Sequence, residues 1–233
     1  GLLNTTGASN VYVGHNVADA THVDSTANVA IGQQAFSGSH TTGASAENVA
    51  IGNLAMGAGA MNGVTGGVAI GGSSLTALTT GSGNTAVGYQ TLKTISTGTS
   101  CTAVGYEAGE LITGSLNTVI GYQAADVLAS GTSNTIVGAR AFGAADGSET
   151  NSTIIGTDAG SAIDHDSTDG NVIIGNDAGT GGAAALISCV AIGYNAMNST
   201  GGNAQTGTVA VGTDALTALT YGARNTAVGH EAS

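Results

Sequence analysis

The sequence predicts an all-β protein, a parallel β-solenoid of about 13 coils, and three observations support this fold class. A five-residue motif, Asn-Thr/Val-Ala-Val/Ile-Gly, recurs along all 233 residues. The residue before the motif glycine is Val or Ile in every copy, and both are strand-forming, β-branched residues. Successive copies are 16 to 20 residues apart, the length of one coil. We therefore interpret residues 1–233 as a single repeat domain.

The motif glycine aligns the repeats, so that each position of the motif can be examined as a column. Its thirteen copies are Gly14, Gly32, Gly52, Gly71, Gly88, Gly105, Gly121, Gly138, Gly156, Gly175, Gly193, Gly212 and Gly229. Between the motifs lie segments of variable length that are rich in Gly, Ser and Thr. We interpret these segments as return loops on the outside of the coils, after one dependable strand and a shorter second strand.

Two apolar columns stand side by side before the motif glycine, and they predict a strand that is buried on both faces. The Val/Ile column is the predicted core of the coil. The column before it is mostly Ala and faces the opposite way, because side chains alternate along a strand. A sister chain is the predicted partner of this Ala column. Only one strict aliphatic column and one looser column are present, which favours a flattened β-roll over a three-sided prism of hexapeptide repeats.

Asparagine occupies the position four residues before the motif glycine in eight copies. Stacked Asn side chains can hydrogen-bond to one another along a ladder, and they can also close the turn that enters the strand. Cys101 and Cys189 occupy the same column five repeats apart. At about 4.8 Å per coil they would be roughly 24 Å apart, too far for a disulfide.

Composition excludes several classes of function. The net charge is −12, with only three cations, so the chain has no basic surface for nucleic acid or for anionic lipid. No apolar run approaches the roughly 18 residues that a membrane-spanning helix needs. The repeats place near-identical residues in columns, whereas a catalytic site needs dissimilar residues that converge. The sequence therefore predicts no nucleic-acid binding, no membrane insertion, no catalytic residues and no enzyme.

The strings Asn48-Val49-Ala50-Ile51-Gly52 and Asn84-Thr85-Ala86-Val87-Gly88 resemble the head repeats of trimeric autotransporter adhesins and, more closely, repeats of bacteriophage tail fibres. The resemblance covers nearly the whole chain. It implies a left-handed parallel β-roll, packed or intertwined as a homotrimer, on a cell surface, on a virion or otherwise outside the cell. Adhesin heads have shorter and more constant repeats, which places this chain nearer the fibre-type relatives.

Tyr89, Tyr106, Tyr122 and Tyr194 each follow a motif glycine directly, and they are the candidate binding residues. An exposed row of tyrosines can bind glycans or a host surface protein by stacking. The alternative, which we favour, is that the rings cover the glycine backbone and pack between coils.

Asp164, Asp166 and Asp169 belong to the most acidic segment of the chain and are the candidate metal ligands. Alternating carboxylate and hydroxyl oxygens before a glycine turn could hold Ca²⁺. The EF-hand pattern is not matched, and a solvated acidic loop is the interpretation we favour. No other cofactor is predicted.

The leading functional hypothesis is a structural and adhesive fibre segment, a rigid repeat rod whose loops contact a surface. A self-assembling extracellular filament is the alternative, because the repeat pattern has no atypical cap at either end. A third hypothesis is an ice-binding solenoid with Thr85, Thr102, Thr118, Thr135 and Thr153 in one column. A flat ice-matching face would need a second regular Thr column, which the sequence does not have.

Overall fold

The computed structural model describes residues 6–19, 24–39, 43–182, 184–201, 203–219 and 222–233. Contacts divide the chain into two compact units, Gly1–Leu116 (unit 1) and Asn117–Ser233 (unit 2). Among the described residues there is no helix, and the strands pair in parallel. Each unit is a parallel β-solenoid, which confirms the predicted class.

Each of the thirteen repeats contributes one three-residue strand that ends just before its motif glycine. In unit 1 these strands pair in chain order: β1 (Val11–Val13), β2 (Val29–Ile31), β3 (Val49–Ile51), β4 (Val68–Ile70), β5 (Thr85–Val87) and β6 (Thr102–Val104). In unit 2 they are β7 (Thr118–Ile120), β8 (Thr135–Val137), β9 (Thr153–Ile155), β10 (Val172–Ile174), β12 (Val190–Ile192), β14 (Val209–Val211) and β15 (Thr226–Val228), again paired in this order.

The second strand of the coil is present only in reduced form. In unit 2, β11 (Leu186–Ile187) pairs with β13 (Gln205–Thr206), and single bridges join Thr150 to Asp169 and Asp169 to Ile187. In the described part of unit 1, single bridges such as Thr26 to Ala46 are formed at this place. Most of the remaining backbone bonds join turns of adjacent coils, as where the Phe36 N–H donates to the Ala55 carbonyl at 2.9 Å.

The pairing register keeps equivalent motif positions directly opposite one another. Val49 pairs with Val68, Ala50 with Ala69 and Ile51 with Ile70, and the other strands follow the same rule. The columns of the sequence alignment are therefore physical columns that run across the coils.

The structure reverses the predicted roles of the two apolar columns. The Ala column lies inside the coil: Ala30, Ala50, Ala86 and the larger Ile136 are fully buried. The Val/Ile column faces outward, with Ile120 40% exposed. The prediction of a Val/Ile core and an Ala seam was wrong, because the interior beside the strand is already occupied from the opposite side.

Large side chains fill that interior from the turn after the strand. Phe36, Met56, Leu75, Leu92 and Phe142, each four residues after a motif glycine, are fully buried. Their backbone φ angles lie between 47° and 57°, the left-handed region, which turns the chain back over the strand. In most coils this arrangement leaves room for no more than the methyl group of Ala at the inward-facing position of the strand.

A third apolar column, absent from the sequence analysis, lies in the return segments. Leu78, Ile95, Ile112, Leu128 and Ile163 are fully buried. Each stands seven residues after its motif glycine, and variable loop length obscures this column elsewhere in the chain. It adds a second set of large buried side chains to the core of these coils.

The reversed faces predict opposite costs for two neighbouring isoleucines of β9. Ile154→Ala should lower the free energy of unfolding by about 3 kcal/mol, because Ile154 is fully buried and its removal leaves a cavity. Ile155→Ala should cost below about 1 kcal/mol, because Ile155 is already 36% exposed in the chain. Urea unfolding of the two variants, at a protein concentration at which the chain is monomeric, measures both costs. Equal costs, or the reverse order, would contradict the assignment of the faces.

Candidate functional site

The outer face of the motif sheet runs across the motif strands of each unit. It is formed by the first and third residues of every motif strand, whose side chains point away from the core. The first position is Val or Thr and the third is Val or Ile in all thirteen copies, so the face bears no charged residue. We call these two columns the outer face.

Much of the outer face is open to solvent. Val11 and Val13 are 49% and 56% exposed, and Ile31, Ile70 and Val104 are each between 37% and 38% exposed. Single exposed apolar residues are ordinary, whereas a continuous apolar strip indicates a surface that meets another surface. A flat sheet face of this kind packs against a second sheet at about 10 Å.

The candidate tyrosines border the outer face, one residue beyond the motif glycine. All four rings are about half exposed, from 45% for Tyr106 to 53% for Tyr194. In unit 1, Tyr89 and Tyr106 stack on each other, with ring centroids 5.4 Å apart and planes inclined by 23°. Stacking between adjacent coils agrees with the interpretation that the rings pack between coils. Binding of glycans or of a host protein by Tyr89, Tyr106, Tyr122 and Tyr194 stays a prediction.

Two ion pairs lie close to the tyrosine column. The Lys93 ammonium donates to Glu110 at 2.8 Å in unit 1, and this contact raises the pKa of Lys93. In unit 2, the Arg140 guanidinium donates from Nε at 2.8 Å and from a terminal nitrogen at 2.7 Å to the two carboxylate oxygens of Asp158. This bidentate bond lowers the pKa of Asp158. Both pairs join adjacent coils across a partly exposed surface.

The predicted asparagine ladder is confirmed, and its members lie directly before their motif strands, most of them buried. Asn48 is typical: its Nδ2 donates to the Val64 carbonyl at 2.9 Å and to Asn28 Oδ1 at 3.0 Å. Its own Oδ1 accepts the Gly67 N–H at 2.8 Å. One amide thus satisfies buried backbone groups of its own coil and the next, which secures the register of the outer face.

Cys101 and Cys189 take asparagine's place in two coils, and both are buried thiols outside any disulfide. Each thiol lies near backbone carbonyls of its own unit, the Cys101 Sγ at 3.3 Å from the Gly114 oxygen and the Cys189 Sγ at 3.5 Å from the Gln205 oxygen. Burial raises the pKa of Cys189, which keeps the thiol protonated and unreactive.

A group of three carboxylates lies in the return loops of unit 2. Asp146 and Glu149 come from the coil between β8 and β9, and Asp164 comes from the next coil. One carboxylate oxygen of each lies within 4.8 Å of the others. Asp146 and Asp164 are exposed, whereas Glu149 is fully buried. We call these three residues the acidic cluster.

The electrostatics of the acidic cluster disfavour its ionised form. Burial raises the pKa of Glu149, and the nearby Asp166 and Asp146 raise it further. A hydrogen bond with Asp146 raises the pKa of Asp164. Glu149 Oε2 accepts the Gly147 N–H at 3.2 Å, but Oε1 has no hydrogen-bond partner.

Of the three predicted metal ligands, the structure brings only Asp164 into the acidic cluster. Asp166 Oδ1 accepts the Ser148 N–H at 3.3 Å beside it. Asp169 accepts hydrogen bonds from Thr150 and Asn151, both at 2.8 Å, which lower the pKa of Asp169. Its carboxylate is therefore engaged in joining two coils.

Sequence reasoning missed Asp146 and Glu149 because it searched for ligands within one continuous segment. The signal was nevertheless present in the repeat. Asp146 and Asp164 are each eight residues after a motif glycine, so the alignment places one directly above the other. Glu149 is the only charged residue among the thirteen that stand seven positions before a motif glycine.

The fold class is a parallel β-solenoid with an uncharged outer face, a tyrosine border and one acidic cluster. No protein-family model, no curated protein and no solved structure matches the chain. Within the described ranges, no helix is of a length and apolarity that would cross a lipid bilayer.

Proposed function

We propose that the chain is a structural segment of an extracellular or virion fibre, and that its outer face packs against further copies of the same chain. The observation that carries this proposal is the uncharged, β-branched and partly exposed outer face. Burying such a face is favourable by roughly 25 cal/mol for each Å² of apolar surface removed from water.

Charge distribution favours a second copy as the occupant. The chain has a net charge of −12, so two copies repel each other wherever their acidic surfaces meet. The outer face carries none of these charges, which makes it the surface where two copies can approach without a Coulombic penalty. A basic partner would instead gain nothing from this face.

Periodicity favours the same occupant. The outer face repeats once per coil, at the spacing of paired strands, which is about 4.8 Å. A second copy has ridges of Val, Ile and Thr at the same spacing, so the contacts made by one coil can be repeated by the next. A globular partner has no such repeat and would match only a few coils.

The motif resemblance supplies the finer features of the proposal. It favours a left-handed roll and a homotrimer, with the variable return loops turned outward for attachment to a surface. In this arrangement the chain supplies length and multivalency, and specificity resides in the loops. It acts by assembly and binding, without a catalytic step.

The proposal is tested by the mass of the full chain in solution. Sedimentation of the wild-type chain should give a discrete oligomer, with three chains as the expected number. The double variant Ile120→Lys/Ile155→Lys should sediment as a monomer, because two buried charges are costly in an apolar interface. It should remain folded, since both side chains are at least 36% exposed within one chain.

A matched control adds the same charge away from the outer face. Ser130→Lys/Ala162→Lys places two lysines on exposed return-loop positions of the same unit, and its mass should equal that of the wild type. A monomeric wild-type chain would overturn the proposal. Long filaments in electron micrographs, unaffected by the outer-face lysines, would instead favour end-to-end assembly.

A further inference from the structure

We infer that the acidic cluster of Asp146, Glu149 and Asp164 is a binding site for one Ca²⁺ ion, held between the return loops of two adjacent coils. This site is independent of the proposed assembly, because all three residues belong to unit 2 of one chain.

Glu149 is an exception in a column that is otherwise neutral. The position seven residues before the motif glycine holds Gly, Ser, Thr, Val, Leu or Gln in the other twelve copies. Several of these are buried, such as Ser45, Thr168 and Gln205, as the column lies inside the coil. A carboxylate at this place is unfavourable for folding alone, so it requires a partner.

The hydrogen bonds within the chain leave part of Glu149 unsatisfied. Gly147 N–H donates to Oε2, while Oε1 is buried and has no partner. The charged groups that act on this carboxylate are Asp146 and Asp166, which are also acidic. Arg140, the nearest cation by sequence, is bound to Asp158 instead. A cation from outside the chain would complement Oε1 and offset the acidic neighbours of Glu149.

Asp146 and Asp164 supply a second reason for a cation. They occupy the same column of adjacent coils, and one carboxylate oxygen of each lies within 4.8 Å of the other. Two negative charges at this separation repel each other, and a cation bound between them removes the repulsion.

The geometry and the donor type fit calcium. Ca²⁺ binds oxygen at about 2.3–2.6 Å, so two of its ligand oxygens are at most about 5 Å apart. The three oxygens of the acidic cluster lie within 4.8 Å of one another. All are carboxylate oxygens, without the nitrogen or sulfur ligands that zinc prefers. The exposed sides of Asp146 and Asp164 leave room for the water molecules that complete the calcium shell.

Calcium at this place would fasten the 146–149 loop to the 164–166 loop. Only weak bonds between the two loops are formed by the chain itself, such as Ser148 N–H to Asp166 Oδ1 at 3.3 Å. A bound ion therefore adds a link between coils in the region where the acidic side chains repel.

The inference is tested by calorimetric titration of the full chain with CaCl₂ after removal of divalent ions. The wild type should bind one Ca²⁺ with a Kd on the order of 10⁻⁴ M, as extracellular calcium modules do. Glu149→Gln keeps the shape and removes the charge, and it should raise the Kd at least tenfold. The control Asp177→Asn removes a carboxylate from the same unit outside the cluster, and its Kd should equal that of the wild type.

Thermal unfolding separates a ligand role for Glu149 from a purely structural role. In EDTA, Glu149→Gln should unfold at a higher temperature than the wild type, since it removes a buried charge. CaCl₂ should raise the Tm of the wild type and of Asp177→Asn, but not that of Glu149→Gln. Absence of wild-type binding at about 10⁻² M CaCl₂ overturns the inference. The inference is also overturned if Glu149→Gln and Asp164→Asn both leave Ca²⁺ binding unchanged. Tighter binding of MgCl₂ than of CaCl₂ overturns it as well.

Discussion

Gly52→Ala is expected to lower the free energy of unfolding by about 3 kcal/mol or more. Gly52 has a φ of 137°, which residues with a side chain rarely adopt. A Cβ there would lie 2.5 Å from the Gly71 carbonyl oxygen, which is backbone and cannot rotate away. Because the motif glycines stack coil upon coil, relief requires the coils to separate.

Gly63→Ala is the matched control for this prediction. Gly63 lies in the return segment of unit 1 with a φ of 71°, and a Cβ at this position would meet no heavy atom within 4 Å. Its cost should be about 1 kcal/mol, from the left-handed backbone alone. Urea unfolding followed by circular dichroism, at one protein concentration, measures both variants. Equal losses would show that backbone conformation, and not the stacking of glycines, determines the motif.

Asn134→Ala is expected to cost about 2–5 kcal/mol, because it leaves two buried backbone groups without partners. Asn134 Oδ1 accepts the Ser152 N–H at 3.0 Å, and Nδ2 donates to the Glu149 carbonyl at 2.8 Å. Asn134 is nearly completely buried, so water does not replace these bonds without opening the coil. The same unfolding measurement checks this loss.

Asn176→Ala controls for the removal of an asparagine amide as such. Asn176 is exposed, and its Nδ2 donates to the Thr157 carbonyl at 3.0 Å, where water can take its place. The expected loss is below about 0.5 kcal/mol. A cost for Asn134→Ala as small as this one would mean that the ladder accompanies the fold without stabilising it.

The repeat itself made the coil, the strand and the ladder predictable. Thirteen copies of one motif average out the ambiguity of any single copy, so the alignment located each strand and the buried Asn column. The direction of the strand's faces was not predictable from this pattern. Val and Ile are typical of cores, so the pattern favoured them as the inward-facing column. The Ala column faces inward instead, because residues such as Phe36, four positions after the glycine, already fill the interior.

The left-handed turn residues explain why this error arises. Residues two and four positions after the motif glycine have positive φ, as at Leu54 and Met56, although non-glycine residues seldom do. Asn or Asp, which tolerate this conformation, stands two positions after the glycine in five of the thirteen copies, but residues such as Leu54 and Met56 do not signal it. Hydrogen bonds to the neighbouring coils hold the turn there, from the Leu54 N–H to the Gln33 carbonyl and from the Met56 N–H to the Ser74 carbonyl, both at 3.0 Å. The acidic cluster was hidden for a related reason, since its members are adjacent across coils rather than along the chain.

The one-to-one register of the strands has a consequence for how such a gene can change. Every coil presents the same pairing pattern on its two sides, so a coil can follow any other coil without an adaptor. Unequal crossing-over between repeats would add or remove whole coils while the remaining ones keep their partners. The length of the solenoid would then vary between related genes in steps of one repeat. The loop sequences would diversify separately, by point mutation.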